Sequence, residues 1–559
     1  MEYDQGIRKR CETRLEGLKN NRTLFEPQWA EVARLAQPYR SRFLDEKQNQ
    51  KTERRINSNI RNGHGIRAVR TLRAGLYTGL SAPSKPWFKL EPYDRDLLSS
   101  SAVTQYLAAC EDRIYALFAR TNFYPAMKAG YGELGLFGCD AGVMVEHKLA
   151  GLVTNQLTAG EFWLGLNDTG SPGALYREIP LTVNQAVQTF GDKTSQRVRN
   201  LYDQSKKEEP VLCYQAIEQN DGRDASKMDG KNKPWRSVYW EADTSCTTAL
   251  SISGFEEQPF YGARWETTGG DTYGTSPGMD ALPDLREMML HTRRKGTIVG
   301  QIARPHMRVP PNIGFTGIVE GGVTAIANVD AEAVRPLYVP DYRAVQLVGE
   351  DVSNSERKVD EAFFADLFMA ITNMPGIQPR QMAEIASRNE EKLTQLGPVV
   401  ESVNQEKLQV SIDRAYAMLD RNGGLPDPPP ELNGQPLRIV FISILTQMQR
   451  MVGAGSIERM VSFVGNMGAA FPEALLKLDA DAAVEEYASV IGTPPRILRD
   501  AKVVAEMRAQ QAQQAQMAQM AQMAPAAKDG AEAARLLSEA DTGDGQSILQ
   551  RLTGQAQAA

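Results

Sequence analysis

Cysteine, histidine and surplus positive charge are all scarce in this chain of 559 residues, and each shortage removes a class of function. The five cysteines, Cys11, Cys110, Cys139, Cys213 and Cys246, are widely spread and include no C-x-x-C pair. That spacing excludes a disulfide framework or a zinc knuckle and fits free thiols in a reducing compartment. The four histidines, His64, His147, His291 and His306, stand singly, and no H-E-x-x-H occurs, so neither a metal centre nor a cofactor is expected. No G-x-x-x-x-G-K-[ST] is present, which removes a phosphate-binding loop for ATP. A net charge of -6 argues against a free-standing nucleic-acid binder, because such proteins carry surplus Lys and Arg to displace counterions. No uninterrupted apolar run approaches the roughly 18 residues of a membrane span, and the opening Met1-Glu-Tyr-Asp-Gln5 is polar, unlike a secretory leader. The expectation is a soluble protein of the cytoplasm.

What remains is ordinary globular composition, 42% hydrophobic and 24% charged. At roughly 150 residues per domain the length allows about three or four units. Residues 1 to about 75 read as charged helices. Trp29, Val32, Leu35 and Ala36 form an apolar stripe on one of them. The basic run Lys51, Arg54, Arg55, Arg61, Arg67, Arg70 and Arg73 follows, interleaved with Ile56, Ile60, Ile66 and Leu72. It is either a solvated face or a contact for DNA or an acidic neighbour. Pro83 and Pro86 then break the helix ahead of a strand-like piece ending at Leu90.

From about 150 to 275 short runs rich in Val, Thr, Tyr and Trp, such as Ser237-Val-Tyr-Trp240 and Thr247-Thr-Ala-Leu-Ser-Ile252, alternate with Gly, Asn and Asp turns, the pattern of a β-rich domain. Asp280 to Ile302 reads as a helix with Leu282, Leu285 and Met289 on one face and His291, Arg293, Arg294 and Lys295 crowding its far half. Pro305 to Gly349 is rich in Pro, Gly and Val, with strand-like Gly317-Ile-Val-Glu320 and Arg343-Ala-Val-Gln-Leu-Val348. Ser353, with Glu356 three residues on, has the form of a capping box opening a second helix through Val359, Phe363, Leu367 and Phe368. After the loop Asn373 to Arg380 comes a long helix to Arg421, kinked at Gly397-Pro398. Gly423 to Pro430 stops it, Leu437 to Leu445 reads as a strand, and helices fill about 446 to 508. The tail from Gln510 is Ala, Gln and Met with no charge between Arg508 and Lys528; it is either a self-packing helix or a disordered segment.

Two motif matches are misleading. Gly274-Thr-Ser276-Pro-Gly278 is a literal G-x-S-x-G, the nucleophile elbow of α/β-hydrolases. There the residue after the serine gives its N–H to an oxyanion, and Pro277 has none. A turn opening a helix is the better reading. Gly130-Tyr-Gly-Glu-Leu-Gly135 matches G-x-G-x-x-G, but the upstream segment carries Pro125 and helical spacing instead of a buried strand. Small residues permitting close packing explain it.

The order of pieces is more informative: β-rich domain, helix, small β excursion, helix, Pro/Gly loop, long kinked helix. This order resembles portal proteins, and four stretches narrow the resemblance to the head-to-tail connectors of short-tailed bacteriophages. They are Leu76 to Leu90 with Pro86-Trp87-Phe88; Arg264-Trp265 with Tyr273-Gly-Thr-Ser-Pro277 and Ala281-Leu-Pro-Asp284; Glu384 to Pro398 with Arg388, Glu390, Leu396 and Gly397; and Gly424-Leu-Pro426. The resemblance runs from about residue 15 to 450.

It implies an α+β portal fold, mainly helical, with a β-rich wing and a small β-containing clip, assembled as a ring of commonly twelve subunits. The implied division is a helical part of the wing at 1–150, a β-rich wing at 151–277, a first stem helix at 278–303, a clip at 304–350 and a second stem helix at 351–372. A tunnel loop at 373–384, the long wing helix with strands at 385–445, a helical crown at 446–508 and the tail at 509–559 complete it. Stem residues Arg293, Arg294, Lys295, Glu356 and Asp360 would line a channel for double-stranded DNA. Asn373, Gln378 and Arg380 of the loop would project into it.

The implied partners are copies of the same chain, the terminase large subunit as motor, a tail adaptor, the major capsid protein and scaffold. The implied place is a capsid vertex of the virion, reached through the host cytoplasm. No catalytic residue is expected. Two other readings stay open: a different ring component of a phage tail, and an intracellular hydrolase acting through Ser276.

Overall fold

The computed structural model describes residues 2–38, 60–372 and 390–484, apart from 95–96, 99, 228, 244–246, 310–321, 326–334, 339–340, 433, 472 and 474–476, together with 504, 507–510 and 514. The chain divides into two units, Met1–Met460 and Val461–Ala559. Helices and mostly antiparallel sheets are mixed through the first, as an α+β architecture requires.

The N-terminal stripes do pack as core. Helix α1 (Glu2–Thr23) sets Ile7, Cys11, Leu15 and Leu18 at intervals of three or four residues, so all four face one way. They bury against Trp163, Tyr176, Ala216, Val238 and Trp240 of a five-stranded sheet. On α2 (Glu26–Ala36), Trp29, Val32, Ala33 and Ala36 are buried and Leu35 is half-buried. Helix α3 (His64–Leu80) follows. Next comes strand β1 (Phe88–Pro92), reached through the Pro86-Trp87-Phe88 corner. Tyr115 fixes that corner from α4 (Ser101–Arg120): its hydroxyl accepts the N–H groups of Trp87 and Phe88, each at 2.9 Å, and donates to the Phe88 carbonyl at 2.8 Å. β1 pairs antiparallel with the distant β13 (Leu437–Phe441), so an early and a late segment of the first unit are stitched together.

The β-rich region holds two antiparallel sheets. One is ordered β4 (Phe162–Leu166), β5 (Pro172–Thr182), β6 (Pro210–Gln219), β7 (Trp235–Glu241), β8 (Ser251–Phe255), and two short helices, α6 (Val183–Phe190) and α7 (Gln196–Asp203), lie between β5 and β6. The other is β3 (Gly151–Leu157), β2 (Cys139–His147), β9 (Phe260–Arg264). The helical portion expected at 1–150 therefore also supplies β1 and β2, because α5 (Phe123–Phe137) ends at Gly138, whose φ of 69° turns the chain directly into β2.

A short helix α8 (Pro277–Asp280) leads into α9 (Leu282–Ala303), which lies along α10 (Arg343–Ala362). Between them β10 (Met307–Val309) pairs parallel with β11 (Val323–Ala325) and antiparallel with β12 (Arg335–Pro336). The strand expected at Gly317–Glu320 lies outside the described residues.

Two expectations for the second stem helix are corrected. Arg343 to Val348 is helical, not a strand, and the helix starts there instead of at Ser353. The start signal is Asp341, whose carboxylate accepts the N–H of Arg343 at 2.9 Å. Ser353 lies mid-helix and donates its hydroxyl back to the Gly349 carbonyl at 3.2 Å. The helix also does not run unbroken through Leu367. Phe364 takes φ 53°, which separates α10 from α11 (Ala365–Thr372).

The long kinked helix expected up to Arg421 is observed as α12 (Glu390–Val403), a π-helical turn at Asn404–Gln409, and α13 (Val410–Arg421), with Pro398 inside the first piece. Its expected beginning at 381–389 lies outside the described residues. After β13, the strand expected to reach Leu445 stops at Phe441, and α14 (Ile444–Ala470) begins. In the second unit Arg508 pairs with Asp481 at 2.5 and 2.7 Å. The tail beyond residue 514 is outside the described residues.

Candidate functional site

Both misleading motifs resolve into packing. Ser276 is 1% exposed and caps α8: its hydroxyl accepts the Met279 N–H at 3.2 Å and donates to the Leu136 carbonyl at 2.8 Å. A hydroxyl held between a backbone carbonyl and a backbone N–H, with no base bonded to it among the described residues, is a cap and not a nucleophile. The flanking glycines are there for contact, since a methyl on Gly278 would sit 2.6 Å from the Leu136 oxygen and one on Gly274 2.9 Å from the Gly138 oxygen. The second motif lies within α5 instead of a strand-to-helix turn. Gly130 leaves room for the buried Asp140 and Lys407 side chains.

The helix pair α9 and α10, expected to form a stem, is the candidate working surface. On its inward side Leu282, Leu285, Met288 and Met289 are buried. Along the seam Lys358 of α10 reaches Glu287 at 3.2 Å and Asp284 at 3.8 Å. His291 lies 3.4 Å from Glu287 and 4.0 Å from Asp351. Hydrogen bonding from Lys358 first, then from His291, holds the Glu287 carboxyl below its usual range.

Arg293, Arg294 and Lys295 are all exposed on α9. The other two stem residues sit differently. Glu356 is half-buried and accepts from the Asn62 amide at 2.7 Å, and Asp360 is half-buried with the His64 imidazole at 2.8 Å. Both carboxylates therefore fasten α10 to the start of α3. Asn373, Gln378 and Arg380 lie outside the described residues.

Exposed apolar side chains accompany these cations: Leu290, Val299 and Ile302 on α9, Tyr342 and Leu347 at the start of α10. Among the described residues no group of three or more His, Cys, Asp or Glu is placed to hold a metal, and no helix is long and apolar enough to cross a membrane.

Three internal ties escaped the sequence. The π turn presents two consecutive residues to the β2–β9 sheet. Glu406 takes the Arg264 guanidinium, with Nη2 at 2.5 Å, and the Arg264 backbone N–H at 3.0 Å. Lys407 pairs with Asp140, both side chains being fully buried, and lies over the rings of Tyr131 at 4.4 Å and Tyr261 at 5.1 Å. Burial drives the Lys407 ammonium pKa down while Asp140 acts against it.

In the third tie, Glu218 on β6, 1% exposed, gathers Arg10 at 2.5 Å, Arg14 at 2.7 Å, Arg236, and the Tyr176 hydroxyl at 2.9 Å. That cluster bolts α1 onto the five-stranded sheet. Arg10, Arg14 and Glu218 read in sequence as solvated charges, and nothing local marks them as partners.

The chain matches the family model described as "Bacteriophage head to tail connecting protein" over residues 8–498. It is 33% identical over 542 residues to the portal protein of Salmonella phage epsilon15, covering 96% of each chain. It is 35% identical over 519 residues to the probable portal protein of Bordetella phage BPP-1, covering 91% of this chain and 92% of that one. A chain from the virion of a native gene transfer agent particle aligns at 14% identity with a TM-score of 0.33, covering 78% of this chain and 91% of that one.

Proposed function

The chain belongs to the bacteriophage head-to-tail connecting protein family, and from that premise we propose that it is a portal subunit working in a closed ring of about twelve copies at one capsid vertex. The observation that carries this reading is likeness to portal proteins along almost the whole chain. The role is structural and not enzymatic. The ring is the conduit through which double-stranded DNA enters the head, is retained, and leaves.

The α9–α10 stem would line the channel with Arg293, Arg294 and Lys295. The loop bearing Asn373, Gln378 and Arg380 would narrow it. In a ring each residue recurs once per subunit, so one arginine becomes a circle of cations in an otherwise acidic wall. Such contacts are blind to sequence and weak enough for DNA to slide. Glu356 and Asp360 tie stem helix α10 to the start of α3 in this proposal, with their carboxylates shared between holding the helix and shaping the wall.

The 304–350 excursion would dock the terminase large subunit during filling and a tail adaptor afterwards. The chain itself carries no phosphate-binding loop, so the force must come from that separate motor. The wing and crown would meet the major capsid protein and scaffold, and assembly would take place in the host cytoplasm. The exposed apolar residues of the stem support the ring reading, because a lone subunit gains nothing from leaving them in water.

Sedimentation of the purified chain tests the proposal. A species with about twelve times the mass of one chain is expected; a monomer at every concentration would reject it.

A further inference from the structure

An acid-free stretch lies within this acidic chain. From Arg54 to Leu90 there is no Asp or Glu, whereas six arginines and two lysines fall there. Arg67 and Arg70 are exposed along α3, three residues apart and so on neighbouring parts of one face, and Arg61 is exposed just ahead of the helix. Among the described residues none of the three has an ion-pair partner, and Arg67 reaches the His64 ring nitrogen at 3.4 Å. The carboxylates of α10 that face this end of α3 are already engaged, Glu356 by Asn62 and Asp360 by His64. Among the described residues the arginine charge is therefore left uncompensated.

Two further observations say what such a surface suits. The Arg61 N–H meets the Met289 sulfur at 3.5 Å, one helical turn before Arg293, so the patch lies within reach of the exposed cations of α9. Among the described residues between Leu24 and Tyr93, no large hydrophobic side chain is exposed. A protein partner would need an apolar centre, and α3 offers none, unlike the stem with Leu290, Val299 and Leu347. Phosphate needs only charge and the planar guanidinium fork, which arginine supplies in two-pronged form.

We infer that the Arg61, Arg67 and Arg70 surface binds the phosphate backbone of duplex DNA, without reading its sequence. The inference takes its setting from the connector reading, but the contact is a property of the single chain. It places DNA on α3 in addition to any contact made by the stem or the loop.

The test is binding of a short labelled duplex of mixed sequence across a salt series, with the mass of each protein measured alongside. Arg67→Ala with Arg70→Ala should weaken binding on the order of tenfold and flatten the slope of log affinity against log salt by about two, as loss of two phosphate contacts requires. Arg67→Lys with Arg70→Lys should keep most of the slope, and Arg223→Ala, in the outer loop after β6, should change neither quantity.

Unchanged affinity and slope in the alanine pair would overturn the inference. So would a pair that loses self-association but binds DNA as before, since that outcome assigns the surface to an acidic face of a second copy. A wild-type chain that proved monomeric yet bound DNA through these arginines would sink the ring and leave this inference standing.

Discussion

Lys407 and Asp140, 267 residues apart in the chain, form an ion pair in which neither side chain reaches solvent. The pair fixes the π turn between α12 and α13 against strand β2, and Gln156 completes it by donating to Asp140 at 2.6 Å. A buried pair of this kind contributes little net stability against an apolar replacement, but breaking it leaves a charge stranded. Lys407→Met should therefore lower stability by about 3–5 kcal/mol. Adding Asp140→Asn should recover more than half of that loss. Melting of the two variants side by side checks it, and equal midpoints for the single and double variants would contradict the role given to the pair.

Glu111 on α4 accepts the Leu90 N–H at 2.7 Å, and burial pushes its carboxyl pKa up from 4.5 to about 7. A carboxyl raised in the folded state contributes stability that is fully present below its unfolded value and is lost as pH rises through the folded one. Glu111→Gln keeps an acceptor for Leu90 and cannot ionise. Relative to wild type its melting temperature should climb between about pH 4.5 and pH 7 and level off above that. A difference that does not vary with pH would contradict the assignment.

Ser276→Ala removes the cap of α8 and the bond to Leu136 together, and should cost about 1–2 kcal/mol. Thermal denaturation reads the loss. Ester hydrolysis that is present in the wild type and vanishes in this variant would instead support the nucleophile reading of G-x-S-x-G.

Arg380→Glu, in the proposed channel loop, should leave assembly intact and reduce the DNA packaged per head. Heads filled to the normal level would remove the loop from the channel.

How far the sequence reached can be traced through individual residues. Helix α9 and the β-rich region were legible because Leu282, Leu285 and Met289 repeat at helical spacing and the strands alternate with turns. The start of α10 was not, because Ala344-Val-Gln-Leu-Val348 read alone has strand composition and Ser353 with Glu356 imitates a cap. The true signal, Asp341, lies in a Pro/Gly-rich stretch where an aspartate is unremarked. The π turn left no trace at all: Glu406 and Lys407 look like ordinary surface charges, and their partners Arg264 and Asp140 are far away in the chain. That α9 and most of α10 are helical was legible, but the partners of Glu356 and Asp360, Asn62 and His64, were not, because they lie far away in the chain.

The proposed conduit role depends on the ring. Negative-stain images of the purified chain test that most directly. The account predicts closed rings with a central hole about as wide as duplex DNA, and uniform single particles at high protein concentration would contradict it.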